Sequence, residues 1–303
     1  MSLIKLALPK GSLQESTFAL FQRAGWSCSV SSRSYTPSID DPDISARLLR
    51  PQEIARYIKL GLIDAGIAGY DWIYENGARL AKPDEPLDGA DLVEIAELNY
   101  SKSTSNPVRW VIAVPDDSPI QSVQDLQGKR IATEAVGLTT RFLEEKGVKA
   151  DVEYSFGATE VKAPELVDAI VDLTETGSSL RANHLHILET ILVSTTRFVA
   201  SVAAWQDPAK RAKLEQIAML LSGSLLADSK SLLKMNARRG DLAAVSAILP
   251  SLRAPTVNTL ADPAWVAIEA VVDEKDIRHI IPLLRKAGAS GIVALRLSRV
   301  FPD

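Results

Sequence analysis

Residues 170–180, I-V-D-L-T-E-T-G-S-S-L, gather the side chains best suited to chemistry in this chain. An apolar run ends on Asp172. Thr174, Glu175, Thr176, Gly177, Ser178 and Ser179 follow before a helical-looking segment begins. That order reads as a buried strand carrying a carboxylate to its carboxyl end, then a turn opening onto a helix N-terminus. Free backbone N–H groups there, with hydroxyls beside them, make an anion site. A carboxylate for ribose hydroxyls next to a pocket for a 5′-phosphate is what a phosphoribosyl donor requires. The same residues also suit an ordinary Ser/Thr-capped helix after a strand, and the stretch alone leaves both readings open.

Other chemistry-bearing residues stand at the ends of apolar runs. In L-P-K-G-S-L, Lys10 and Gly11 fall where a first strand hands over to a first helix, a place for a phosphate or a base edge, or for a solvated lysine in a tight turn. Arg50 precedes Pro51, a residue suited to a first helical turn, and its guanidinium could fork onto a phosphate. Arg109 in N-P-V-R-W and Arg141 in G-L-T-T-R-F are further cations near strand ends or helix starts, though such an arginine taken singly is more often a surface salt-bridge partner. Glu160 lies in a loop from which a carboxylate could face the same pocket, and Asp168 is expected in a helix before the strand. The three histidines lack an H-E-x-x-H pattern and cysteine partners, so a zinc site is not expected, and His184 and His186 alternate like strand neighbours.

These residues need a scaffold that brings strand ends together. Short apolar runs at 3–8, 46–49, 65–68, 92–96, 109–114 and 130–133 read as strands. Segments 13–24, 51–60 and 138–146 carry the three- and four-residue spacing of amphipathic helices. Strands alternating with helices imply an α/β architecture with mostly parallel pairing. Residues 61–71, G-L-I-D-A-G-I-A-G-Y-D, set a strand between glycines and end on Asp71, a pattern frequent in two-lobed folds whose strand ends face a cleft. The Ser- and Asn-rich stretch 98–107 reads as a crossover between lobes. After Thr195 the texture changes: a long helical period over 208–227 leads into strand 230–236, helix 239–249, strands 256–260 and 265–272, helix 274–287 and strand 290–298. That βαββαβ order is the ferredoxin-like pattern, a frequent small-molecule regulatory module.

Composition bounds the function. The 303 residues give room for about two or three domains, and 46% hydrophobic with 24% charged residues is ordinary for a globular chain. A net charge of −4 supplies no basic stripe, which argues against a general nucleic-acid binder, so any polyanionic substrate must meet locally placed cations. No apolar run approaches membrane-spanning length, the N-terminal strand is too short for a signal segment, and the single Cys28 suits a reducing cytosol.

Taken in order, the motifs resemble those of the ATP phosphoribosyltransferase family in its long form over nearly the whole chain. They are L-P-K-G, D-A-G-I-A-G-Y-D at 64–71, E-V at Glu160, D-L-T-E-T-G-S-S-L at 172–180, A-N-x-L at 182–185, and R-A-P-T-V with L-A-D-P-A-W-V-A-I in the tail. The resemblance implies a two-lobed catalytic part like the type II periplasmic binding proteins and a C-terminal ferredoxin-like, ACT-like domain that senses histidine. Lobe I with its bridging helix would take 1–104 and 185–227, lobe II 105–184, and the regulatory domain 228–303. The implied reaction transfers the 5-phosphoribosyl group of phosphoribosyl pyrophosphate to N1 of ATP, expels pyrophosphate, and opens histidine biosynthesis under feedback inhibition by histidine. By position, Asp172, Glu175, Thr176, Gly177, Ser178 and Ser179 would hold the phosphoribosyl donor. Lys10, Gly11, Arg50, Asp71, Arg109 and Glu160 would line the ATP side, with Asp172, Lys10 and Arg50 in catalytic roles. Mg²⁺ would bind mainly through pyrophosphate oxygens rather than through assigned protein ligands. A cytoplasmic homo-oligomer, dimers assembled to a hexamer, is implied, with no nucleic-acid or membrane partner. The chain departs from the family's commoner pattern at Ser12 (often Arg), at Glu165 (usually Gly), in a segment one residue shorter after Glu160, and at His184 (usually Gly). A non-catalytic regulatory subunit or a solute-binding protein on the same fold is the competing reading.

Overall fold

The structure, a computed structural model, describes residues 3–100, 107–250 and 254–301. Part of the 98–107 crossover, the 104/105 lobe boundary and Arg253 of R-A-P-T-V lie outside the described residues. The chain divides into two compact units, residues 1–19 with 26–218 and residues 20–25 with 219–303.

The first unit holds two sheets built on one plan. In lobe I, strands Ile4–Pro9, Ile44–Leu49 and Ala65–Gly69 run parallel, and Thr196–Ser201 lies antiparallel against Ala65–Gly69 and Leu92–Leu98. In lobe II, Asp151–Tyr154, Arg130–Thr133 and Ala169–Thr174 run parallel, and Val108–Pro115 lies antiparallel between Ala169–Thr174 and Leu185–Ser194. Three parallel strands beside a reversed one, repeated in two lobes, is the plan of the type II periplasmic-binding-protein-like folds. The parallel strands are buried as the apolar runs require: Ile4, Leu6, Ala7 and Leu8 are fully covered, as are Ala65 and Ile67. Helix Pro51–Lys59 starts on the proline, whose missing N–H costs nothing at a first turn, and lays Ile54, Ala55 and Ile58 on the sheet. Each of those isoleucines contributes about 1.5–3 kcal/mol of burial. A Cβ at Gly66 would come within 2.9 Å of Ala7 O and Ile54 Cγ2, so only glycine lets strand and helix approach this closely.

Two expectations are corrected here. Lobe I resumes at Thr196 rather than at 185, because Leu185–Ser194 completes the lobe II sheet against Val108–Pro115. Two register shifts and half-buried residues along most of that strand erase the alternation that would have marked it. Residues 162–168 form turns, not a helix. Asp168 instead accepts the Arg130 N–H at 2.9 Å and pairs with Lys129 at 3.3 Å, fixing the start of a strand.

The second unit contains the strand order Thr256–Thr259, Trp265–Asp273, Lys230–Arg238, Ser290–Arg296, antiparallel throughout, the 2-3-1-4 order of a ferredoxin-like βαββαβ sheet. Leu233, Met235, Val266, Ile268 and Val272 face Val245, Ile280 and Leu284 of its helices. The 228 start expected for this region falls two residues before its first strand, Lys230–Arg238, and the compact unit around it is larger. The unit begins at Met219, within helix Pro208–Asp228, and also takes in Leu20–Gly25, where Arg23 pairs with Asp228 at 2.8 Å.

Candidate active site

The chain crosses between lobes on either side of a cavity of about 270 Å³. Asn99, Tyr100, Pro107 and Val108 line it on one crossing, Ser194, Thr195 and Thr196 on the other. Lobe I adds Ser12, Leu13, Pro51, Gly69, Asp71 and Trp72; lobe II adds Leu173, Thr174 and Glu175. The opening motif, the strand end before Pro51 and the D-L-T-E-T-G loop, far apart in sequence, therefore share one hollow.

On the lobe I side, Ile4–Pro9 and Ile44–Leu49 are in parallel register with Pro9 opposite Leu49, so Lys10 and Arg50 leave the sheet side by side. Lys10 N–H donates to Leu49 O at 2.8 Å, and the Lys10 ammonium sits 3.7 Å above the Tyr35 ring. Its hydrogen bond and charge, with the charge of Arg50, draw the exposed Tyr35 phenol below its usual range. Gly11 takes a φ of +98°, a conformation open to glycine, and its carbonyl accepts the N–H of Gln14 at the start of the first helix. Lys10, Gly11 and Arg50 stand beside the cavity-lining Ser12, Leu13 and Pro51.

Asp71 is buried in the wall of the cavity with both carboxylate oxygens committed: Oδ1 accepts the Trp72 N–H at 3.0 Å and Oδ2 accepts Trp110 Nε1 at 2.8 Å. Its own N–H donates to Ser194 Oγ at 3.0 Å. A Cβ at Gly69 would collide with this carboxylate, which accounts for the glycine. Burial pushes the Asp71 carboxyl above the usual range, against the pull of the Trp110, Trp72 and Ser194 contacts. Arg109 lies across from Thr174 in the lobe II sheet, with Nη1 3.5 Å from Thr190 Oγ1.

In lobe II, strand Ala169–Thr174 delivers Asp172 as expected, half-buried and accepting its neighbour Leu173 N–H at 2.7 Å. Burial raises its carboxyl to about 6, against the pull of that N–H, and the charges of Glu160 and Glu134 raise it further. Glu160 sits on the short turn Thr159–Val161, entered through Ala158 with φ +49°. Glu134 follows strand Arg130–Thr133, where Thr133 is in register with Val171, so Glu134 and Asp172 continue adjacent strands. The loop then closes on itself. Thr174 Oγ1 accepts the Gly177 N–H at 2.7 Å, Thr176 Oγ1 meets Ser178 Oγ at 3.1 Å, and Arg181 holds Thr176 O at 3.0 Å. Gly177 adopts φ +73°, and Ser178 and Ser179 open helix Ser178–Ala182 with exposed side chains. Glu175 lines the cavity; Thr176, Gly177, Ser178 and Ser179 follow it around the turn.

Sequence reasoning did not single out Glu134, Tyr35 or Trp110. Glu134 ends an apolar run and carried the same signal as Asp172. The other two reach their partners only through tertiary packing.

Residues 50–223 match the family model described as ATP phosphoribosyltransferase, and residues 227–299 match that of the HisG C-terminal domain. An ATP phosphoribosyltransferase of Chlorobaculum parvum is 54% identical over 299 residues, covering 99% of this chain and 98% of the relative. The counterpart from Thermodesulfovibrio yellowstonii is 53% identical with the same coverage. Among solved structures, a chain of the ATP phosphoribosyl transferase (HisG:HisZ) complex from Thermotoga maritima superposes with a TM-score of 0.59 at 27% identity. It covers 73% of this chain and 99% of its own.

Proposed function

The chain belongs to the ATP phosphoribosyltransferase family, and from that premise we propose a division of labour across its cleft, with lobe II holding the phosphoribosyl donor and lobe I receiving ATP. The enzyme is a pentosyltransferase: it moves the 5-phosphoribosyl group of phosphoribosyl pyrophosphate to N1 of ATP, the first step of histidine biosynthesis. The ribose C1–oxygen bond to pyrophosphate breaks and a C1–N1 bond forms. Adenine N1 is already a neutral nucleophile, so the chain needs no strong base. The barrier lies in leaving-group departure and positive charge at C1, which positioning and electrostatics lower.

The observation that carries the division is the cavity to which Ser12, Leu13 and Pro51 contribute from one lobe and Leu173, Thr174 and Glu175 from the other. In this reading Asp172 takes the ribose hydroxyls, and Glu175, Thr176, Gly177, Ser178 and Ser179 wrap the 5′-phosphate. Lys10, Gly11, Arg50, Arg109 and Glu160 serve the ATP side, with Asp71 shaping the wall. Lys10 and Arg50, adjacent at their strand ends, offset charge on the departing pyrophosphate.

Among the described residues no three His, Cys, Asp or Glu side chains are grouped as a chelating set. The charges of Glu160 and Glu134 reach Asp172 and raise its carboxyl. In this reading an ion at the site takes its ligands mainly from pyrophosphate oxygens. Mg²⁺, when bound there, supplies neutralisation of the leaving group.

The βαββαβ unit supports feedback inhibition by histidine, and the family resemblance supports a cytoplasmic homohexamer built of dimers. No helix among the described residues is long and apolar enough to cross a membrane.

Calorimetry with phosphoribosyl pyrophosphate tests the donor site. Wild type should bind it and Gly177→Trp should not, while Ser179→Ala should lose about 1–3 kcal/mol of binding. Unchanged binding in the Gly177 variant would remove the loop from the site. An assay of phosphoribosyl-ATP formation with and without histidine tests the regulation.

A further inference from the structure

Helix Val136–Glu145 of lobe II begins without a cap of its own. Ala135 stands at the N-cap, no side chain there accepts a first-turn N–H, and the first turn carries no acidic residue. The missing acceptor comes from the other lobe. Glu75, at the end of helix Tyr70–Glu75, accepts the Gly137 N–H on Oε1 at 2.9 Å and the Leu138 N–H on Oε2 at 2.6 Å. A carboxylate on exposed first-turn N–H groups at the positive end of a helix is a favourable pairing.

The grip is returned from lobe II. Arg141 donates to Tyr74 O, and its guanidinium lies 4.5 Å from the centre of the Tyr74 ring. Gly137 is the point of closest approach: a Cβ there would lie 3.0 Å from Glu75 O and 3.2 Å from Glu75 Oε2. Arg141, one of the cations marked in the sequence, is thus occupied in joining lobes.

Gly137 in the clasp is three residues along the chain from Glu134, which stands beside Asp172. Glu134 continues strand Arg130–Thr133 alongside Asp172. The Ala135 N–H folds back onto Thr133 Oγ1 at 3.0 Å, leading directly to Gly137. At its other end, helix Tyr70–Glu75 starts with Asp71 and Trp72 in the cavity wall, and Trp72 meets Trp110 of lobe II edge-to-face at 5.7 Å. One short helix therefore touches the cavity with its first turn and the turn beside Asp172 with its last residue.

We propose that Glu75 is a positioning residue for phosphoribosyl transfer, holding the start of the lobe II helix from lobe I so that Glu134 and Asp172 keep their place against substrate bound across the cleft. This rests on the reading of the cleft given above and assigns it a mechanical tie. Glu75 touches neither substrate nor reacting atoms. Its effect reaches the chemistry through the turn at 134–138.

The test uses the full chain with Glu75→Gln, which keeps one acceptor oxygen, Glu75→Ala, which keeps none, and Gly137→Ala, which pushes the clasp apart from the opposite lobe. Steady-state kcat and both KM values are measured beside calorimetric binding of phosphoribosyl pyrophosphate and thermal unfolding. An ångström of misplacement costs about a hundredfold in rate, so kcat should fall by about tenfold or more in Glu75→Ala and Gly137→Ala, and by less in Glu75→Gln. Donor binding should fall by much less than kcat, because the 174–179 loop that holds the 5′-phosphate is untouched while only the ribose contact of Asp172 shifts. An unchanged kcat in Glu75→Ala overturns the proposal, as does a loss of donor binding that parallels the loss of kcat, which is the mark of a lobe that has come loose. Failure of wild type itself to bind the donor would instead overturn the cleft reading beneath it.

Discussion

Asp71 in lobe I, in the first helical turn after strand Ala65–Gly69, and Asp172 in lobe II, two residues before the end of strand Ala169–Thr174, are both raised by burial, yet they are bonded differently. Asp71 has each oxygen paired to a protein N–H, including the indole of Trp110 from the other lobe. Among the described residues Asp172 accepts one N–H, from its own neighbour Leu173, with two carboxylates nearby in Glu160 and Glu134. A buried polar group whose partners are all protein is part of the architecture. One left under-satisfied among like charges stores a cost that a ligand can relieve. The same residue type is thus sorted into frame and site by what the protein leaves for it to bond.

The sharpest way to break this contrast is Asp172→Asn. Activity should fall by about 10²-fold or more in kcat/KM, as when one preorganised electrostatic group is removed from a dry site. Stability should move the other way. The Asp172 carboxyl rises from 3.8 to about 6 on folding, so the folded chain holds the proton more tightly. Its contribution is fully present below about pH 4 and is lost as pH rises through 6, an upper bound on the order of 3 kcal/mol. Asn cannot ionise, so the variant should melt higher than wild type at pH 8 and nearly with it at pH 4. A variant less stable than wild type at pH 8 would place Asp172 with Asp71 as frame.

Trp110→Phe probes the other member. It keeps the ring and deletes the N–H that bonds Asp71 Oδ2, leaving a buried carboxylate one partner short. Urea unfolding should register a loss of about 1.5–3 kcal/mol, while calorimetric binding of the phosphoribosyl donor stays near wild type. Lost donor binding with unchanged stability would reverse the roles assigned to the two aspartates.

What the sequence made legible follows the range of the interactions. The 172–179 loop is local: Thr174, Gly177 and Ser178 bond within four residues of one another, so its chemistry could be read directly. Strand and helix positions with clean periodicity, such as Pro51–Lys59 with Ile54, Ala55 and Ile58 inward, could be read as well. Glu75 with Gly137 and Asp71 with Trp110 could not, since nothing in either segment announces a partner tens of residues away. Leu185–Ser194 escaped for a different reason: its two bulges break the period of two on which strand recognition depends.

The two short helices next to these aspartates end alike, and there lies the smallest and cleanest comparison. Helix Tyr70–Glu75 closes with Asn76 and then Gly77 at φ +58°. Helix Ser178–Ala182 closes with Asn183 and then His184 at φ +56°. The left-handed conformation after a helix is natural for glycine, whereas a side chain there brings Cβ toward a carbonyl oxygen at a cost of roughly 1–2 kcal/mol. Glycine gives back about 0.5–1 kcal/mol through its freer unfolded chain. His184→Gly, which restores the residue common in the family, should therefore stabilise by about 0.5–1 kcal/mol in urea unfolding. Gly77→Ala should destabilise by a similar amount through backbone strain alone, because no atom lies within 4 Å of the added Cβ. If His184→Gly instead destabilises, the imidazole makes a compensating contact in lobe II, and the two helix ends, alike in backbone, are held by different forces.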